Sequence, residues 1–433
     1  MSRTLLRVTS SLLSFGFLVG GIGGIGAMGL AACSGDADDT VTVRRVPEQY
    51  ATIQDAVDAA RAGDLVLIGP GEYHESVEVR TEGIVLRGTD RNQVVLDGED
   101  RLTNGISVLA DGVAVENLTA RRYQQNGVLF NGAAGADGSG EAGATYGTGE
   151  HALVGYRVSH VTVANNGLYG VYAFASRGGL IEQVYASGHP DSGIYVGQCK
   201  PCDVVVRDVT AAYNAIGYYG TNASGGVFVV SSTFTHNRLG MTPNSQQMEL
   251  LAPQVETVIA GNLVVDNAEV DAPAIANGFF GGGIAVGGGT ANTIVRNRVS
   301  GHPSFGIGVI RLGQFVPERN VVEQNVLDDN ALDLLLLPDA TRLTSSANCF
   351  AGNTFATSAP ADIESLLPCP GVDTPLDAVA YEQDPPPPGV DYRDVAGPPD
   401  QPSMPDAATA AWASASAIPP TVDLDAIQVP AAR

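Results

Sequence analysis

The sequence predicts an all-β chain whose strands pair in parallel and wind into a solenoid of about ten coils, with a short helix over its first coil. Three observations lead there. Glycines followed by apolar or β-branched runs stand at Gly83, Gly105, Gly127, Gly170, Gly193, Gly217, Gly240, Gly283 and Gly306, a period of 22 to 24 residues with two steps about 20 longer. A period of that length means one supersecondary unit stacked on copies of itself. Within each repeat, apolar and polar residues alternate in twos, as in Val204-Val205-Val206-Arg207-Asp208-Val209 and Thr293-Ile294-Val295-Arg296-Asn297-Arg298-Val299. That alternation describes two short strands per repeat with one buried face each, and helical spacing is absent. Asn-Gly and Asp-Gly hairpin signals are mostly missing, so each strand pairs with its equivalent one repeat on.

In chain order, residues 1–32 carry Arg3 and Arg7, an apolar stretch rich in Leu and Gly, and the closing Leu30-Ala31-Ala32-Cys33. This is the layout of a signal peptide. The Leu-Ala-Ala-Cys end resembles the bacterial lipoprotein signal, which implies cleavage before Cys33, lipid on its thiol and a membrane-anchored, extracytoplasmic location. Residues 33–47 read as a tether. Thr52-Ile53-Gln54-Asp55 reads as a capping box, with Ile53, Ala56, Val57 and Ala60 on one helical face and Gly63 as the stop.

This helix, the following Gly63-Asp64 and Pro70-Gly71-Glu72-Tyr73, and the Gly-Ile-x-Val repeats resemble right-handed parallel β-helix proteins of the pectate-lyase superfamily. The resemblance spans residues 48–345 and implies a right-handed single-stranded parallel β-helix. Two insertions interrupt the period. The first, Asn131 to Gly149, has seven glycines; the second, between Asn244 and Phe280, holds an extra strand pair around Val258 to Val265. Solenoids commonly carry insertions on their binding face.

Five cysteines are present, and lipid on Cys33 leaves Cys199, Cys202, Cys349 and Cys369. Of three pairings, closing the short local loops is the simplest: Cys199 with Cys202, clamping a turn, and Cys349 with Cys369, stapling residues 346–370 as a C-terminal cap. Residues 371–433 hold 12 of the 25 prolines and are expected to be disordered or docked on the rod through Tyr381, Tyr392 and Trp412. The formal net charge is −24, with Lys200 the only lysine. Such a surface repels phosphates, which argues against nucleic acid, and repels acidic glycans unless arginines build a local basic groove.

Aligning the repeats on their glycines puts Tyr172, Tyr195 and Tyr219 in one outward column. That column is either a ladder stabilising parallel strands or a platform for sugar rings. The turn after it collects Arg177, Gln198, Thr221, Asn222, Asn244 and Gln246, the substrate-binding candidates being Tyr172, Tyr195, Gln198, Tyr219, Asn222 and Asn244. Proton abstraction beside a carboxylate, the chemistry of lyases and epimerases among related β-helices, needs a base and a charge neutraliser. Arg177, His189 and His236 are the catalytic candidates. His189, His236 and His302 align four residues before a glycine, although Ser-Gly-His-Pro occurs twice, at 187–190 and 300–303, which marks a turn motif.

No metal site is assigned, and no cofactor is expected, with a divalent cation left open at Asp328, Asp329 and Asp333 or at Asp266, Glu269 and Asp271. The resulting expectation is a lipid-anchored protein that binds a polysaccharide or cell-envelope glycan, with cleavage or epimerisation left open. The alternative is a non-enzymatic envelope binding or scaffolding protein.

Overall fold

The computed structural model describes residues 41–133, 152–247, 250–274, 278–383 and 385–432. Three long sheets of 12, 11 and 10 strands run the length of the rod, and successive members of each sheet come from successive coils. Every ladder pair between the named strands is parallel, as in Ile194 opposite Tyr218 and Val205 opposite Phe228. The expected stacking at equal phase is therefore observed.

Each coil carries three strands where the sequence suggested two. The run 204–209 is split into Val204–Arg207 and Thr210–Ala212 by Asp208, whose φ is 52°. Arg296 (φ 54°) splits the run 293–299 in the same way, and Asn117, His160, Gln183, Ser231 and Gln324 stand at equivalent one-residue corners. A single left-handed residue turns the chain without interrupting the apolar alternation, so the corner leaves no mark in the hydrophobic pattern. Two further expectations are corrected. Gly83 (φ +67°) lies at a corner leading into the 12-stranded sheet, out of phase with the other repeat glycines, which lie in the 11-stranded sheet. The extra strand pair of the second insertion, Thr257–Ala260 and Leu263–Val265, belongs to a regular coil flanked by two enlarged loops.

Inward positions make one continuous aliphatic core: in Ser192–Gly197 these are Ile194 and Val196, both fully buried. Each such side chain contributes roughly 1.5–3 kcal/mol by leaving water. The repeat glycines fit where chains come closest. A Cβ on Gly170 would stand 2.4 Å from the Gly193 carbonyl oxygen and 2.9 Å from the His189 ring.

Buried amide ladders line the corners. Between the 10- and 11-stranded sheets, Asn166, His189, Asn214, Asn237, Asn267, His302 and Asn330 are linked side chain to side chain. Asn262, Asn297, Asn325 and Asn353 form a second ladder, and Gln254, Asn292, Asn320 and Asn348 a third. Each amide satisfies backbone groups that a one-residue corner leaves unpaired, such as the Ile259 carbonyl bound by Asn297.

At the N-terminal end, helix Ile53–Asp58 lies over the first coil, with Thr52 Oγ1 accepting from the Asp55 amide. The capping is shared, since the Glu75 carboxylate accepts from the Ile53 and Gln54 amides. At the other end, Ile363 and Leu367 enter the core beside the Cys349–Cys369 disulfide, and the Cys199–Cys202 disulfide is also formed.

The proline-rich segment, given as disordered or docked, is laid along the rod. Val379 and Tyr381 cover the outer face of the 11-stranded sheet near the C-terminal end. The chain then passes Arg238, Asn165, Asn92 and Arg87, which donate to the carbonyls of Pro387, Tyr392, Gln401 and Ala410. At the N-terminal end Trp412 donates to the Gly63 carbonyl at 2.9 Å. The strap then returns past Gly112 to Phe228 and Val258, where Val422, Leu424 and Ile427 pack, and ends with Arg298 donating to Pro430. Prolines lack an amide donor, so an extended proline-rich chain presents mostly acceptors, which arginine and asparagine side chains fill.

Candidate functional site

The outer face of the 11-stranded sheet gathers the aromatic residues. Tyr172 lies opposite Tyr195 and Tyr195 opposite Tyr219, with ring centroids 4.8 Å and 5.7 Å apart. Tyr169, at the start of the same strand as Tyr172, stacks on it at 4.3 Å. The rings of the column meet edge to face, and Tyr195 is only 2% exposed while Tyr172 and Tyr219 are half-buried. Tyr195 is therefore a packed member of the ladder, and open aromatic surface is confined to its neighbours.

Loop residues flank this face in one coil: 245–247 and 250–256 come after strand Leu239–Asn244 on one edge, and 266–274 and 278–281 come before strand Gly282–Gly287 on the other. The polar candidates divide. Gln198 is buried and accepts from the Leu251 amide at 3.3 Å, and Asn222 is tied to the Gln246 backbone in both directions. Both residues hold the loop. Asn244 and Gln246 reach the face itself and donate toward the Tyr219 hydroxyl at 3.5 and 3.3 Å.

Four buried polar atoms along this face have no hydrogen-bond partner: Asp191 Oδ1, Thr221 Oγ1, Thr242 Oγ1 and Asn244 Oδ1. They are strung across the width of the face: Thr221 and Asn244 end their strands, Thr242 lies in the tyrosine column, and Asp191 precedes the start of its strand at the other edge. Buried polar atoms are almost always paired, so unpaired ones along one face suit contact with hydroxyls or water. Asp191 leads into strand Ser192–Gly197, and burial raises its carboxyl to about 7, against the lowering pull of the Tyr169 hydroxyl beside it. Burial and the nearby Asp191 raise the Tyr169 phenol in turn. A carboxyl titrating near neutrality beside a phenol can both take and give a proton.

The three catalytic candidates are not brought together. His189 is fully buried in the amide ladder, between Asn166 at Nε2 and Asn214 at Nδ1, and His302 repeats this between Asn267 and Asn330. Desolvation lowers both imidazoles to about 4. His236 does not share their column: Asn237 holds the ladder place, while His236 sits at the preceding left-handed corner, bonded to Thr235 and stacked on Tyr213. One residue more or less before the glycine shifts the phase, which glycine-anchored alignment could not register. Arg177 stands at the opposite edge of the 11-stranded sheet, in strand Ser176–Glu182. Six-residue strands separate the two edges by about 17 Å.

Asp191, Tyr169 and Thr242 were not singled out from sequence as site residues. Their signal is positional: Tyr169 stands one residue before its glycine and Asp191 two before.

Of the acidic groups suggested for a cation, Asp333, Asp328 and Glu269 have partners of their own. Asp333 accepts from the Ala356 and Thr357 amides and Asn330, and Asp328 pairs with Arg298. Glu269 accepts from the Asp271 amide, and Asp266 occupies a left-handed corner. Among the described residues, Glu72, His74 and Asp97 also bring ligand-type atoms within 4.8 Å of one another. There the Asp97 carboxylate is already taken by the Glu99 amide and by Arg121 at 2.8 Å.

Comparison with known proteins gives one family model, described as "Right handed beta helix region", matching residues 144–313. No curated protein sequence matches. The chain is similar to solved structures of pectate lyase Pel9A (14% identity, 74% of this chain and 78% of that one, TM-score 0.42). It is also similar to the Azotobacter vinelandii mannuronan C-5 epimerase AlgE4 A-module (12%, 80% and 95%, 0.42). A third is DFA-IIIase from Arthrobacter chlorophenolicus A6 in complex with GF2 (13%, 73% and 98%, 0.40). Three all-parallel sheets built coil on coil, together with the match over residues 144–313, show that the chain has the right-handed parallel β-helix fold.

Proposed function

We propose that the outer face of the 11-stranded sheet binds a polysaccharide and that Asp191, with Tyr169, transfers a proton on it. The observation that carries this reading is a face with unpartnered buried atoms along it, Thr221 Oγ1 and Asn244 Oδ1 at one edge, Thr242 Oγ1 in the tyrosine column, and Asp191 Oδ1 beside Tyr169 at the other edge. Sugar rings present hydroxyls at their rims and C–H surface on their faces, which suits this mixture. A carboxyl poised near 7 suits abstraction of a ring proton, the step shared by elimination and epimerisation.

A panel of neutral and acidic polysaccharides, scored for binding, unsaturated-product absorbance and reducing ends, tests this. Thr221→Val with Asn244→Ala should weaken binding about tenfold or more, whereas Asp191→Asn should keep binding and lose roughly 10²–10⁴ in turnover. Binding without turnover would leave a carbohydrate-binding protein. Neither activity would leave a scaffold.

We also propose that the protein is exported and lipid-anchored through Cys33. The leader, residues 1–32, and Cys33 lie outside the described residues, so this rests on the sequence pattern of residues 1–33. No helix among the described residues is long and apolar enough to cross a membrane. Cys33→Ser should move the protein from the membrane fraction to the soluble one.

A further inference from the structure

We infer that, among the described residues, the proposed glycan face is a blind cleft, open toward the N-terminal coils and closed toward the C-terminal ones, and that it receives the end of a polysaccharide chain. This rests on the glycan reading above and adds which part of the polymer is recognised. Burial changes along one outward column, linked in register through Glu78, Ser107, Leu129, Tyr172, Tyr195, Tyr219 and Thr242, and, one residue past the Met241–Ile284 pair, on to Ala285, Gly308 and Leu335. Glu78 is exposed, and Ser107, Leu129, Tyr172 and Tyr219 are half-buried, with Tyr195 buried among the neighbouring tyrosine rings. From Thr242 onward, Thr242, Ala285, Gly308 and Leu335 are buried. A groove that accepted a polymer along its whole length would stay open at both ends.

The closure is a built structure. Val379 and Tyr381 of the strap pack against the outer cluster that includes Leu239, Ala285, Phe305 and Leu335, with the Tyr381 ring 6.2 Å from Phe305 and its hydroxyl 2.6 Å from Ser304 Oγ. Gln383 then donates to the Phe280 carbonyl at 3.0 Å, and Arg238 to Pro387. On the other edge a small turn joins Leu312 to Phe315 by paired backbone bonds, and Phe315 lies against Gly288. The unpartnered Thr221, Thr242 and Asn244 stand in the last coils before this wall. That is where a chain end, which carries a hydroxyl that interior units spend on the glycosidic bond, would need polar partners.

The test is a length series with the wild-type protein and size-fractionated alginate, polygalacturonate and dextran, each as short oligomers and long chains, read by titration calorimetry. A blind cleft binds one protein per chain end, so stoichiometry per chain stays constant while affinity per sugar unit falls in proportion to length. Val379→Ala with Tyr381→Ala, which thins the wall, should make the number of proteins per chain rise with length. Wild-type stoichiometry that already grows with chain length overturns the blind cleft and leaves glycan binding standing. No saturable binding of any of the three polymers overturns the glycan reading, and the blind cleft falls with it.

Discussion

At the scale of single residues, buried position in the coil decides chemistry more than residue type does. His189 looks catalytic in sequence and is structural in the fold, because its Nδ1 faces the accept-only carbonyl of Asn214 while its Nε2 receives the Asn166 amide. A second proton on Nε2 would point at a donor. Together with desolvation this keeps the ring neutral down to about pH 4. Unfolded His189 protonates near 6.5, so this contribution is fully present above that pH and is lost as pH falls from 6.5 to 4, by about 3 kcal/mol. His189→Asn, which places the ladder's usual residue there, should flatten that part of the stability curve in urea melts run from pH 4 to 8. Asp191 carries the opposite sign. Its carboxyl is raised to about 7, so the native state holds a proton that the unfolded chain releases near 3.8, and stability declines between those values as pH rises. Asp191→Asn should therefore stabilise the protein above pH 7, by on the order of 2–4 kcal/mol, with no gain below pH 4. Denaturation at pH 4 and pH 8 checks both the size and the pH dependence. The turn role of His189 was signalled by the recurrence of Ser-Gly-His-Pro at 187–190 and 300–303; that of Asp191 was not legible, since burial of a turn residue depends on the coils above and below it.

At the scale of elements, the strands and their stacking were readable because alternation in twos and a 22- to 24-residue period both survive in the sequence. What was not readable were one-residue corners such as Asp208, and the path of the strap, whose partners lie hundreds of positions away. Arg87 donates to Ala410, 323 residues on, and no local pattern encodes that. The Tyr172, Tyr195 and Tyr219 column was placed in the right phase because its glycines belong to one sheet, whereas Gly83 and His236 fell out of phase for want of a fixed corner length. The strap itself gives a direct readout. Trp412 is the sole tryptophan, packs on Leu65, Leu67, Val85 and Ala114, and bonds the Gly63 carbonyl. Gly178 is the corresponding weak point farther along, since its φ is +67° and a Cβ there would stand 2.2 Å from the Ala417 carbonyl oxygen. Gly178→Ala should loosen the returning limb of the strap, so that Trp412 emission shifts to the red at a lower urea concentration than the loss of far-ultraviolet β signal. Coincident transitions in the variant would show that strap and rod melt as one.

At the scale of the whole molecule, a solenoid is nearly one-dimensional: each coil touches only the next, and stability is a sum of coil and interface contributions. Such an array need not unfold in one step. This chain departs from that limit because the strap bonds coils far apart in the stack, Gly63 at one end through Trp412, Asn165 through Tyr392, and Arg296 and Arg298 through Leu424 and Pro430. It also covers apolar outer faces that lie outside the main core, around Leu65 and Val85 in one place and around Val230 and Val295 in another. Opening a middle coil therefore disturbs contacts at both ends, which couples units that neighbour contacts alone would leave independent. Removing residues 371–433 while keeping the Cys349–Cys369 staple and the core residues Ile363 and Leu367 should leave the parallel sheets assembled. Far-ultraviolet circular dichroism should then stay dominated by β structure, while the urea transition broadens or divides and its apparent slope falls, as happens when two-state behaviour is lost. A truncated protein that still unfolds in a single transition as steep as that of the full chain would place the cooperativity in the core and the three amide ladders, and would leave the strap as a covering alone.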